Sequence, residues 1–404
     1  MRLTIRLPFL LAVFACCGAL AQTPATTRPV AIAESVRSRV RELSRRALGL
    51  IDRRDLPGAE RVLREALDLA PENSTCRFNL ACVHAAMHQP HGALDDLERA
   101  TDAGFTDFSR IRNEPVFSEV RELPDYQRLV ARRDQIVHRA AERITTEWKQ
   151  TLGKEYQFDV DEHRKMVLAV RPGAGDVQTL AQSLRVQAAS LAELLFSHTS
   201  DEFIRIVIAT PADFAKLEHR PGVQGRYDDA SRTVLVKQPG AELRHEFTHA
   251  LHAADQHALD QEHPVWLSEG LATLYEYPRT ESLDGGEEHR LLPADTWRLS
   301  RVQAAASRQS LIPLATLLEM KRAAFTARAD LAYGEAGSLL MYLCEHHQLA
   351  DFYRAYTAGY AKDPTGREAL QTTTGMSLAD LQQAWVDWLL PRPVPPRNGN
   401  ESIR

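Results

Sequence analysis

Two histidines four residues apart, with a glutamate directly after the first, constrain this chain more than any other feature: His245-Glu246-Phe247-Thr248-His249. On a helix, residues i and i+4 share a face. Both imidazoles can therefore reach one Zn²⁺ ion while Glu246 stands over the water that the ion binds. The chain must supply a helix here, and a third protein ligand from elsewhere.

Two residues are candidates for that ligand. Asp255 lies six positions after His249. A ligand at that spacing needs a glycine three residues after the second histidine to break the helix. Here that position is His252, and Ala250 to Ala254 reads as continuous helix, so Asp255 would point away. Glu269, in Pro264-Val265-Trp266-Leu267-Ser268-Glu269-Gly270-Leu271-Ala272, lies twenty positions after His249. That gap lets a second helix run back and present a carboxylate, with Ser268 or the preceding turn as its cap. Gly270 and Ala272 are small, as close helix packing requires. The expected metal set is His245, His249 and Glu269, holding one Zn²⁺.

HEFTH followed by WLSEGLA resembles the gluzincin zinc metallopeptidases, in particular the bacterial peptidase-MA-like group, over about residues 155–390. The resemblance implies a thermolysin-like zincin domain: a small sheet packed on the metal helix, then helices. It also implies that Gly225-Arg226-Tyr227-Asp228 is a turn before the strand at 232–237. Tyr333, in Ala332-Tyr333-Gly334-Glu335, matches a tyrosine that donates to the oxyanion. The implied activity is peptide-bond hydrolysis by a zinc-bound water, with Glu246 as base. Substrate backbone is expected to add as a strand beside residues 232–237. Two departures stand out. The aspartate that orients the first histidine in thermolysin-like enzymes is Thr273 here, so Glu276 or a backbone carbonyl is expected to substitute. The Gly-x-Met-Glu-Asn signature that holds a free amine is missing, which argues against a dedicated aminopeptidase.

Upstream, Pro57 to Leu67 matches Pro90 to Ala100. Ala59/Ala93, Leu63/Leu97 and Ala66/Ala100 are each 34 apart, the period of tetratricopeptide repeats. The alternative function is therefore a protein-binding module of that type, carrying an inert or structural zincin domain. Strands are predicted at 156–160, 166–170, 203–209 and 232–237, and mostly helix from 241 to 390, with loops near 278–293 and 361–366. This order of strands before helices indicates an α+β fold, preceded by an all-α repeat-like domain.

The amino terminus reads as a signal peptide: Arg2 and Arg6, an apolar stretch from Phe9 to Cys17, then Ala19-Leu20-Ala21. The expected domains are a signal at 1–21, a linker at 22–33, the repeat-like helices at 34–152, the peptidase-like domain at 153–391 and a flexible tail at 392–404. Export to the periplasm or the exterior follows, with no membrane span after cleavage. Loss of the signal moves the net charge from −5 to −7. With no basic excess, nucleic acid is not an expected partner. The expected partners are a peptide or protein substrate and, through the repeat-like helices, another protein. A 404-residue chain with 44% hydrophobic and 25% charged residues is neither disordered nor a disulfide-stapled miniprotein. Cys76, Cys82 and Cys344 are too few for a disulfide framework.

Overall fold

The computed structural model describes residues 27–200, 202–220, 222–282, 289–294 and 297–394. The signal at 1–21 lies outside them. They fall in two compact units, one ending at Glu72 and the other starting at Asn73.

The first unit is a helix pair, α1 (Thr27–Asp52) and α2 (Leu56–Leu69). α1 already includes residues 27–33, where the sequence predicts linker. Pro29 falls in its first turn, where a missing N–H costs nothing. Asp55 caps α2 by accepting from the Gly58 N–H. Val40, Leu43 and Ala47 of α1 are buried, as are Ala59, Val62, Leu63 and Ala66 of α2.

The second unit opens with α3 (Ser74–Ala86) and α4 (Pro90–Asp102), then α5 (Phe108–Asn113), a 3₁₀ turn at Pro115–Phe117, α6 (Ser118–Arg121), α7 (Pro124–Ala131) and α8 (Arg133–Thr151). All six residues paired by the 34-residue spacing are fully buried, Ala59, Leu63 and Ala66 in one unit and Ala93, Leu97 and Ala100 in the other. The internal match is thus a match of core positions. Between α3 and α4, His84 Nδ1 lies 2.7 Å from Asp96 Oδ2, a polar link across two apolar faces.

The sheet comprises β1 (Gln157–Asp161), β2 (Met166–Val170), β3 (Ile204–Ile208), β4 (Gly225–Asp228) and β5 (Thr233–Val236) in the order β1-β2-β3-β5-β4. α9 (Val177–Leu194) connects β2 to β3, and α10 (Pro211–Leu217) follows β3. β2, β3 and β5 are mutually parallel, and both outer strands are antiparallel to their neighbours. Two expectations change here. Residues 225–228 form a strand rather than a turn, because they pair along Thr233–Val236. β5 is consequently flanked on both sides and cannot accept a further strand; the edge strand on that side of the sheet is β4.

Side-chain alternation divides the sheet into two faces. Leu168, Val170, Ile206, Ile208, Val234 and Val236 face a core shared with α9 and the later helices. Val167, Ala169, Val207 and Leu235 face the other way, onto Ile144 and Trp148 of α8 and Phe214 of α10. The domain boundary expected at 152/153 therefore falls inside one packed body. An apolar second face needs cover, and α8 provides it.

Next come α11 (Ala241–Leu259), α12 (Val265–Leu274), the hairpin β6 (Arg279–Ser282) and β7 (His289–Leu292), then α13 (Leu299–Ser307), α14 (Leu314–Glu319), α15 (Arg322–Ala327), α16 (Ala329–Glu345), α17 (Leu349–Gly359), α18 (Arg367–Thr374) and α19 (Leu378–Leu389). The hairpin replaces a predicted loop. Every residue of β6 is exposed, so it carries no apolar alternation to read. Arg392 pairs with Glu345 and its carbonyl accepts from Gln303, so the chain beyond Leu390 is tied down at least that far. The remainder of the expected tail, from residue 395, lies outside the described residues. The chain is thus an α+β protein, mostly helical, with one small mixed sheet. Among the described residues, no helix is long and apolar enough to cross a membrane. Cys76, Cys82 and Cys344 are all free thiols.

Candidate metal centre

α11 starts after Gly240 and runs unbroken to a left-handed cap at Asp260 (φ 53°). Leu243, Phe247, Ala250 and Leu251 bury one side of it against the sheet core. His245 and His249 lie one turn apart on the half-buried side. A short connection then leads into α12, which starts at Val265 with Pro264 as its cap. Ser268 is therefore inside the helix and does not cap it. All ten residues of α12 are buried, Glu269 among them.

A carboxylate in a buried helix needs partners, and Glu269 has them on both oxygens. Oε2 lies 3.2 Å from His249 Nε2 and 3.3 Å from His245 Nε2. The two Nε2 atoms are 3.2 Å apart. Oε1 accepts from Arg322 Nη1 at 2.9 Å. Burial opposes charge on this carboxyl, but the two imidazoles hold its pKa well below the usual range. Burial also disfavours charge on His245, yet Glu269 and Glu276 outweigh it and raise the imidazole to about 10.

The three donor atoms lie within 4.8 Å of one another. Tetrahedral Zn²⁺ with bonds near 2.0–2.1 Å sets its ligand atoms about 3.3–3.4 Å apart. The separations of 3.2, 3.2 and 3.3 Å match that figure before any ion is added. Two imidazoles and a carboxylate are also a donor set suited to zinc.

The other ring nitrogen of His245 is engaged as well. Nδ1 lies 3.1 Å from Glu276 Oε1, which also accepts from Arg298 Nη2 at 3.0 Å. Arg244 Nε donates to the Glu276 carbonyl. Glu276 thus occupies the orienting place left open by Thr273. Burial works against its charge, but His245 and Arg298 keep its pKa lowered. Thr273 packs against α16 instead: a Cβ on Gly337 would lie 2.8 Å from the Thr273 Cγ2.

Glu246 is partly exposed and lies beside the edge strand. A Cβ on Gly225 would lie 2.9 Å from Val236 Cγ1 and 3.3 Å from Glu246 Cγ, so glycine keeps this close approach of β4 free of crowding. Tyr333 comes from α16; its ring centroid is 6.3 Å from that of His245 and 5.2 Å from that of Phe325. The Arg298 guanidinium lies 5.6 Å over the same ring. Burial, reinforced by the Glu269 charge, raises the Tyr333 pKa, so the phenol remains a donor.

Asp255 is fully buried and turned away from this cluster. It accepts from the His198 N–H and from the Tyr353 hydroxyl, tying α11 to α17. His252 pairs with His263 (Nε2 to Nδ1, 2.7 Å) and stacks on Phe196. It makes no hydrogen bond to the three donors. Sequence reasoning missed Arg298 and Arg322. Neither sits in a motif, and in a chain with 49 lysines and arginines nothing local sets them apart.

A protein family described as "Protein of unknown function (DUF1570)" matches residues 240–365. That stretch is less than half of the chain, and it contains every residue of the cluster from His245 to Tyr333. A 64-residue stretch is 33% identical to a chloroplast protein of Arabidopsis thaliana, covering 16% of this chain and 19% of that protein. The chain thus matches about a fifth of the length of that relative.

Proposed function

We propose that the chain is an exported, zinc-dependent metallopeptidase with a thermolysin-like catalytic domain. The observation that carries this reading is the mutual spacing of His245 Nε2, His249 Nε2 and Glu269 Oε2, which suits a tetrahedral cation. When bound there, zinc supplies Lewis acidity, polarising a carbonyl and acidifying water. The remaining steps belong to the protein. Glu246, next to the first histidine and beside β4, takes the proton of the attacking water and returns it to the leaving amine. Tyr333 donates its hydroxyl proton toward the developing oxyanion. Glu276, anchored by Arg298 and Arg244, accepts from His245 Nδ1 and fixes which nitrogen faces the metal. The edge of β4 gives an extended peptide a place to add as a strand beside Glu246.

The test uses purified protein without residues 1–21. Zinc is counted by mass spectrometry, and a peptide library is digested with the wild type and with Glu246→Gln. One zinc per chain is expected in both, with cleavage by the variant reduced by about 10²–10⁴-fold. A protein that holds no zinc, or a variant that cleaves as well as the wild type, would sink the proposal.

A further inference from the structure

Glu269 is sealed inside α12, yet one of its partners is rooted at the surface. Arg322 is the first residue of α15, 53 positions further along the chain. Its side chain is 70% exposed while the carboxylate it grips is 5% exposed. An ordinary surface ion pair has two solvated ends and contributes little. Here one end is solvated and the other is a buried acceptor whose second oxygen faces both histidines.

A carboxylate free to turn can offer a cation one oxygen or two. With Oε1 held by a guanidinium, Glu269 presents Oε2 alone. The same device recurs on the neighbouring ligand, where Arg298 anchors Glu276 and Glu276 anchors His245. We propose that Arg322 is a positioning residue that fixes Glu269 as a one-oxygen ligand, a role that stands on the metal reading above. The arginine touches neither substrate nor ion in this role; it acts through the carboxylate.

The experiment compares the full-length wild type with R322A, R322Q and R322K. Zinc affinity is measured by competition with a chromophoric chelator. Visible absorption of the Co²⁺-loaded proteins reports coordination number, since a change from four ligands to five weakens the bands. Melting of the metal-free proteins reports folding. R322A and R322Q should bind zinc about 10–100-fold more weakly, the usual effect of losing an outer partner. R322K should recover part of the loss, because it restores a charge but not the planar fork. The metal-free variants should still unfold cooperatively, with R322A and R322Q melting somewhat lower than the wild type because the buried Oε1 loses its partner. R322A with wild-type affinity and a wild-type cobalt spectrum overturns this inference alone. A wild type that takes up no zinc overturns the metallopeptidase reading and this inference with it.

Discussion

Among the described residues, Glu335 is a carboxylate whose environment fits its charge poorly. It sits on α16 with no exposed surface, accepting the Ile312 N–H on Oε1. Oε2 meets no hydrogen-bond partner among the described residues. Burial raises its pKa from 4.5 to about 8, with only the Ile312 N–H and the Arg328 charge opposing. The folded chain therefore holds a proton between these values that the unfolded chain has lost. Stability should fall as pH rises from about 4.5 to about 8, and level off above that, by roughly a few kcal/mol. Glu335→Gln cannot ionise, so its unfolding free energy should lack that slope. Denaturant melts of both proteins from pH 5 to pH 8.5 check this, and parallel pH profiles would refute it. Glu269 shows the opposite environment: burial works against its charge, but His249 and His245 beside it favour that charge.

Among the elements, the crossing of α12 and α16 places the carboxylate ligand. Gly270 follows Glu269 directly, and a Cβ on it would lie 2.8 Å from Leu340 Cδ1 and 3.1 Å from the Ala336 carbonyl. The obstacle includes backbone, so the two helices would have to move apart. Gly270→Ala should cost about 1–3 kcal/mol as an overpacked core. It should also weaken zinc binding, because the same helix carries Glu269. A lowered denaturant midpoint with an unchanged slope is the expected signature, and an unshifted midpoint would contradict it. The need for small residues at this crossing is legible at Gly270 and Ala272. Their partner helix is not, because Ala336 lies 66 positions after Gly270 and nothing local links them. β6 is illegible for another reason: all of its side chains are in solvent.

At the scale of the molecule, the helices from α3 to α8 and the expected peptidase-like domain lie in one compact unit, and the sheet joins them. By its helical pattern α8 belongs with the repeat-like helices, yet it closes the face formed by Val167, Ala169, Val207 and Leu235. A chain starting at Gly153 would expose that face and should aggregate, whereas one starting at Asn73 keeps Ile144 and Trp148 in place and should stay soluble. Size-exclusion chromatography of the two truncations decides the matter; a monomeric, cooperatively folded product from Gly153 would restore the boundary at 152/153. The 34-residue match is a different case. Its paired positions are all core, so the helical pattern holds even though the domain limit at 152/153 does not follow from it.

The sequence alone determined what the helical period governs. His245 and His249 share a face because they are one turn apart, Asp255 faces away for the same reason, and Glu269 was marked by a motif a short connection downstream. It also determined the short apolar, largely β-branched runs that make β2, β3 and β5 strands. Only the tertiary structure decided which distant charges serve the ligands: Glu276 with Arg298 at His245, and Arg322 at Glu269. It likewise made β4 the edge strand beside Glu246. The physical reason is range. Helix and strand periods are set by neighbours along the chain, whereas an ion pair between residues dozens of positions apart depends on how the elements between them pack, and one surface arginine looks like another until they do.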